Sequence, residues 1–191
     1  FSILILLILF IPIVVISIAI KLDSKGSIFY RQERVTRYGK KFKIFKFRTM
    51  VSNADKIGTL VTVKEDSRIT KVGKFLRKYR LDEFPQIFNI LSGDMSFVGT
   101  RPEVQKYVDA YSEEMMVTLL LPAGITSKSS IEFRNEADKI SKWMEQGLTA
   151  DEAYIQKILP EKMQYNIAYI EEVSVAQDIK VMLQTVFAVL K

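Results

Sequence analysis

Asp82 and Glu83 are adjacent carboxylates. Arg77, Lys78 and Arg80 precede them, and Arg101 follows in the turn Gly99-Thr100-Arg101-Pro102. Two acids among cations are suited to attack on a phosphoryl group: one carboxylate as nucleophile, one for a hard cation, and cations for the phosphate oxygens. An adjacent acid pair alone is most often a solvated helix start; the flanking cations and the turn bearing Arg101 raise the functional reading. The chain has no histidine and no cysteine, so imidazole shuttles, thiolate nucleophiles, disulfides and His- or Cys-bound metals are excluded. A metal, if one binds, should be a hard cation held by oxygen, such as magnesium.

Several elements are needed to position these groups. Residues 81–91 read as a short helix with Asp82 as N-cap, Pro85 in the first turn and Gly93 past the end. That helix end, with the cations around it, is expected to depress the pKa of Asp82. Residues 70–79 have helical spacing, with Val72, Phe75, Leu76 and Tyr79 on one side. Aromatic and β-branched runs at 28–30 and 42–47, with turn chemistry at 36–40, predict a β-hairpin. Its second strand puts Phe42, Ile44 and Lys46 on one face and Lys43, Phe45 and Phe47 on the other. Residues 52–64 read as a loop and 95–98 as a short extended piece. Residues 103–121, 161–172 and 178–190 read as helices. The fold class expected is α/β, mainly helical with a small hairpin or sheet.

The 191 residues and 22.0 kDa suit one domain with a small appendage, and 48% hydrophobic residues suit a packed core. Residues 1–20 (FSILILLILFIPIVVISIAI) carry no charge and no polar stripe. As a helix of about 30 Å they match the thickness of a bilayer's hydrocarbon. Basic residues follow this run rather than precede it, unlike a secretory signal. Pro12 predicts a break or kink, and leaves open a straight span or a helix–break–helix that returns to the same leaflet. From Lys21 to Arg48 ten basic residues face only Asp23 and Glu33, whereas from Arg101 onward fourteen acids outnumber ten bases. The front of the soluble part is thus a basic face suited to phosphate or anionic lipid, on the cytoplasmic side. The chain starts without Met inside the apolar run, so preceding sequence is expected.

The segments GSIFYRQERVTRYGKKFKIFKFRTM (residues 26–50) and DSRITKVGKFLRKYRLDEFPQIFNILSGDMSFVGTRPE (residues 66–103) resemble the bacterial sugar transferases that act on polyprenyl phosphate, the monotopic phosphoglycosyl transferases. The likeness continues through Pro122-Ala123-Gly124-Ile125-Thr126 to Tyr169 and Asp178. It implies transfer of a sugar-1-phosphate from a UDP-sugar to undecaprenyl phosphate, with release of UMP through an aspartyl–phosphosugar intermediate. In that frame Asp82 matches the nucleophile and Glu83 the magnesium-associated acid. Arg77 and Arg101 match phosphate-binding arginines, and Lys46 or Arg48 lies in the matching basic strand. Residues 1–22 become a re-entrant anchor broken near Ile11-Pro12, and residues 23–191 a catalytic domain on the cytoplasmic face of the bacterial inner membrane. The implied partners are the UDP-sugar, undecaprenyl phosphate and membrane lipid, with a homo-oligomer left open. The sequence departs from the family's pattern at Ile11 (usually Ser), Thr100 (usually Pro), Ala123 and Tyr79-Arg80.

Two other readings compete. A non-catalytic membrane scaffold would explain the apolar leader and the basic face, but not Asp82-Glu83 beside Arg77 and Arg101. A single-strand nucleic-acid platform would use the aromatic, basic hairpin, and the apolar leader argues against it.

Overall fold

The computed structural model describes residues 2–54, 57 and 59–190. Helix α1 (Ser2–Asp23) runs through Pro12 without interruption, so the expected break is corrected. Proline deletes one donor, its own N–H, and a helix can bend around that loss while its other hydrogen bonds persist. Ile20 of α1 is buried with Phe47 and Leu76, whereas Ile8, Phe10, Ile11, Val15 and Leu22 are exposed. Among the described residues no helix is long and apolar enough to cross a membrane. At the end of α1 the Asp23 carboxylate accepts a hydrogen bond from Val72 N at 3.0 Å. That bond and the Thr70 hydroxyl, which accepts from Gly73 N, cap helix α2 (Lys71–Lys78).

Strands β1 (Phe29–Val35) and β2 (Lys41–Phe47) form the expected antiparallel hairpin, with Tyr30 opposite Lys46 and Gln32 opposite Ile44. Tyr38 and Gly39 adopt left-handed backbone conformations at its tip. After α2 the chain enters a 3-10 turn, Leu81–Gln86, which continues into helix α3 (Ile87–Leu91). Asp82 is therefore not an N-cap. Arg80 occupies that position in the left-handed region (φ 55°, ψ 19°), and Asp82 lies inside the first turn. The turn is fastened to the hairpin by Asn89, whose amide accepts from Phe45 N (2.8 Å) and donates to Lys43 O (3.0 Å). One side chain thereby pairs an edge of β2 as a neighbouring strand would.

Strand β3 (Met95–Val98) pairs in parallel with β4 (Ala123–Thr126). Beyond β3, Gly99 and Gly124 bring two backbones together so closely that a Cβ on Gly124 would overlap the backbone N and O of Gly99. This crossing anchors the turn that carries Arg101.

Residues 103–121 were expected as one helix. They form two short ones, α4 (Gln105–Val108) and α5 (Glu113–Met116), followed by a 3-10 turn, Val117–Leu120. Ser112 accounts for the restart: its hydroxyl accepts from Met115 N and begins a new helix instead of continuing the old one. Helices α6 (Lys128–Glu132), α7 (Glu136–Met144) and α8 (Ala150–Ala153) lead through a π-helical turn, Tyr154–Ile158, into α9 (Leu159–Glu171) and α10 (Val175–Leu190). The main core gathers Tyr107, Ile140, Tyr154, Ile158, Leu159 and Met163. The described residues thus form a mainly helical fold with two small sheets.

Gly124→Ala should cost about 1–3 kcal/mol of stability, because backbone cannot retreat as a side chain can. Chemical denaturation measures this. Wild-type stability would show that the strands do not need so close an approach.

Candidate active site

Asp82 and Glu83 share a turn and a depth, 8% and 7% exposed, but not an environment. Glu83 Oε1 receives Arg101 Nη2 at 2.7 Å, Lys46 Nζ at 3.0 Å and Arg80 Nη1 at 3.7 Å. The three cations come from different elements: Lys46 from β2, Arg101 from the turn after β3, and Arg80 from the left-handed position two residues before Asp82. Among the described residues nothing makes a hydrogen bond or ion pair with the Asp82 carboxylate. One acid holds three cations on a single oxygen and its neighbour is bare.

The electrostatics follow from that division. Burial pushes the Asp82 carboxyl above the ordinary carboxylate range; Lys46 opposes this, and the adjacent Glu83 adds to it. The sequence expectation of a depressed Asp82 pKa is therefore reversed. Burying Glu83 would also raise it, yet Arg101, Lys46 and Arg80 hold it well below its usual value. Desolvation lowers Lys46 to about 8 despite Glu83. Arg101 is pushed up, chiefly by Glu83.

The pair opens into a cavity of about 670 Å³, within the range of small-ligand sites. Arg77 lines it, with Nη2 donating to Thr62 Oγ1 at 2.6 Å. Lys46, Arg77, Asp82, Glu83 and Arg101 thus surround one space, and Arg101 reaches Glu83 with Thr100, not proline, before it in the turn. Arg48 does not join them. It is buried elsewhere, donating to the carbonyls of Ser24 and Lys25 and to Ser52 Oγ. Strand β2 ends at Phe47, so the alternation that would align Arg48 with Lys46 stops one residue short. Ile11 and Pro12 lie in α1 and do not line the cavity.

The opposite wall holds residues that the sequence reading did not assign to the site. Glu103 accepts from Tyr154 OH and meets Lys162 Nζ at 3.3 Å, while Arg34 approaches its other oxygen at 3.8 Å. Lys162 also pairs with Glu136 at 2.8 Å. Burial would lower Lys162, but Glu136 and Glu103 keep it raised and therefore charged. A local signal existed: Lys162 falls on the buried stripe of α9 with Leu159, Met163 and Asn166, where an unpaired lysine would be costly.

Magnesium would have to fit this donor set. Among the described residues no three acidic side chains cluster, so the protein alone offers no cage. Asp82 and Glu83 are hard oxygen donors side by side, and all three cation contacts of Glu83 fall on Oε1. One or two carboxylates completed by substrate phosphate oxygens is a common magnesium arrangement. The residues fit an ion shared with a phosphate ligand.

The bacterial sugar transferase family model matches residues 1–191. The chain belongs to that family. Among its relatives are a UDP-N-acetylgalactosamine-undecaprenyl-phosphate N-acetylgalactosaminephosphotransferase of Aeromonas hydrophila, 33% identical over 177 residues (91% of this chain, 38% of the relative), and a UDP-glucose:undecaprenyl-phosphate glucose-1-phosphate transferase of Klebsiella pneumoniae, 37% identical over 189 residues (95% and 37%). An undecaprenyl-phosphate galactose phosphotransferase of Salmonella typhimurium is 38% identical over 128 residues (59% and 27%). The chain spans only 27–38% of the length of these three family members. Their names carry three different sugars.

The two acids should respond oppositely to neutralisation. Asp82 binds its proton more tightly folded than unfolded, so its ionised form costs stability at neutral pH, a cost that shrinks as pH falls through its raised pKa and is gone below the ordinary carboxylate range. Asp82→Asn should therefore leave the thermal midpoint unchanged or raise it. Glu83→Gln strands three cations and should cost about 2–3 kcal/mol, on the order of 5–10 °C. Equal losses in a thermal scan at pH 7 would contradict the division of roles.

Proposed function

We propose that this chain transfers a sugar-1-phosphate from a UDP-sugar to undecaprenyl phosphate, releasing UMP, by way of a covalent intermediate on Asp82. The observation that carries the reading is the unpaired, buried Asp82 carboxylate facing a cation-lined cavity beside a Glu83 that holds three cations. An unpaired carboxylate of raised basicity is the better nucleophile of the two. Chemistry of this kind needs neither imidazole nor thiol, and the chain has neither.

In the first step Asp82 attacks the phosphorus that bears the sugar. The bond from that phosphorus to the bridging oxygen breaks, and UMP leaves with the electron pair. In the second step an oxygen of the lipid phosphate attacks the aspartyl phosphorus and expels the Asp82 carboxylate, giving the lipid diphosphate sugar. Lys46, Arg77 and Arg101 oppose the charge on the phosphoryl oxygens in both steps. Glu83 keeps Lys46 and Arg101 in place and charged. Magnesium, held by Glu83 together with substrate phosphate, would supply further charge neutralisation. Helix α1 serves as an anchor in the inner membrane that enters and leaves by the same leaflet through a bend at Pro12, with no break in the helix. It keeps residues 23–191 on the cytoplasmic face, where nucleotide sugar and lipid phosphate meet.

UMP release from a panel of UDP-sugars, with undecaprenyl phosphate and magnesium, tests this reading. Turnover should appear with one or a few sugars and fall by about 10³-fold or more in Asp82→Asn. Retained turnover in that variant would remove Asp82 as nucleophile.

The pH dependence has a stated shape. Asp82 must be ionised, so kcat/KM should fall as pH drops through its raised pKa, above the usual carboxylate range. Lys46 must be charged, so kcat/KM should fall again above about 8. Lys46→Arg, charged at every accessible pH, should move that basic limb upward. A limb unmoved by the substitution belongs to another group.

A further inference from the structure

A second cavity, of about 340 Å³, lies behind the dyad between α1, the 3-10 turn, the β3–β4 pair and α10. Leu9, Phe84, Phe97, Ile125, Ile131 and Val186 make its walls almost wholly apolar. It is not separate from the polar cavity: Arg80, Glu83, Ser130 and Arg134 line both. An apolar groove that ends in two guanidinium groups fits a molecule with a hydrocarbon chain and an anionic head.

The two arginines differ in readiness. Arg80 Nη1 stands 3.7 Å from Glu83 Oε1, a loose pairing on a residue with a left-handed backbone. Arg134, an exposed residue, donates through Nη1 to the carbonyl of Ala188, near the end of α10, and both residues line the groove. A carbonyl is a neutral acceptor, and exchanging it for a phosphate oxygen yields a stronger, charge-assisted bond. Leu9 sets one wall of the groove in α1, the most apolar helix of the chain. A chain too long for 340 Å³ can therefore run on along α1.

We infer that this groove, between α1 and α10, holds the head-proximal part of a single-chain lipid phosphate, with Arg80 and Arg134 binding its phosphate at the junction of the two cavities. The inference rests on the proposed transferase activity and assigns its acceptor subsite. It makes Arg80 and Arg134 acceptor-binding residues distinct from Lys46, Arg77 and Arg101, which face the donor phosphates. Electrostatic complementarity selects the occupant: an apolar peptide segment would leave both guanidinium groups without an anion, and a free phosphate would leave the apolar walls uncovered.

Two variants separate tail from head. Ala188→Trp fills the groove, and Arg134→Gln removes the guanidinium. With undecaprenyl phosphate in detergent micelles, Ala188→Trp should raise the KM for lipid by about ten-fold while the KM for UDP-sugar moves less than about two-fold. Inhibition by inorganic phosphate, which has no tail, should be unaffected in Ala188→Trp and weakened in Arg134→Gln. A lipid KM unchanged in Ala188→Trp, or lipid and nucleotide KM values rising together in either variant, would overturn the inference. Photo-crosslinking with a benzophenone-bearing polyprenyl phosphate needs no turnover, so it decides the matter even if the wild type releases no UMP from any donor. Label on α1 and α10 that is lost in Ala188→Trp supports the groove; label elsewhere, or label unaltered by the substitution, excludes it.

Discussion

The site depends on three cations converging on one oxygen of Glu83. Lys46, Arg80 and Arg101 reach it from the hairpin, the position two residues before Asp82 and the turn after β3. Like charges do not cluster in a desolvated place without an anion among them, and desolvation already brings Lys46 down to about 8. Glu83 is that anion. Because it takes up the cations, Asp82 next to it can stay unpaired, as the proposed role of nucleophile requires. The contrast between two neighbouring acids is therefore one arrangement seen from two sides: the cost of a bare buried carboxylate is tolerated because its neighbour holds the surrounding charge in place.

Much of the architecture serves that convergence. Asn89 ties α3 to β2, which fixes the dyad turn against Lys46. Gly99 and Gly124 let two backbones touch, which sets the start of the turn that delivers Arg101. Arg80 takes a left-handed conformation that is costly for a non-glycine residue, and strain of that sort collects where geometry serves a purpose. The Glu103–Lys162–Glu136 network braces the wall opposite, two residues beyond Arg101. Each link is polar and individually modest. They are consistent in direction, since every one constrains an element that carries a charge to Glu83.

The elements with clear periodicity were legible in the sequence. The hairpin followed from alternation and turn residues, and α2 and α9 from helical spacing. The residues around the cavity were legible too, since Asp82, Glu83, Arg77, Arg101 and Lys46 all line it. What failed depended on contacts distant in sequence or on where an element stops. The pKa of Asp82 moves up because burial outweighs a helix end, and burial is a property of the assembled fold. Arg48 leaves the site because β2 ends one residue before it. The break within residues 103–121 came from Ser112 competing as a cap, a local effect hidden beneath an otherwise helical pattern. Glu103 and Lys162 are 59 positions apart, and only the placement of Lys162 on an apolar stripe hinted at a partner.

A shared mouth between a polar and an apolar cavity bears on the order of events. In the proposed reaction, two substrates present at once would bring their phosphates to neighbouring guanidinium groups, where they would repel each other. The proposed order, in which a carboxylate first takes the phosphosugar and releases the nucleotide, avoids this, because the nucleotide's anionic phosphate departs before the acceptor's is needed. Asp82 lines the polar cavity, and its neighbour Glu83 lines both, so the dyad turn lies at the wall the two cavities have in common. The same reasoning explains why the acceptor's cations should not be those that Glu83 holds most tightly. Arg101 is bound at 2.7 Å and is committed, whereas Arg80 at 3.7 Å and Arg134 on a neutral carbonyl can turn to an incoming phosphate without stripping the dyad of its charge.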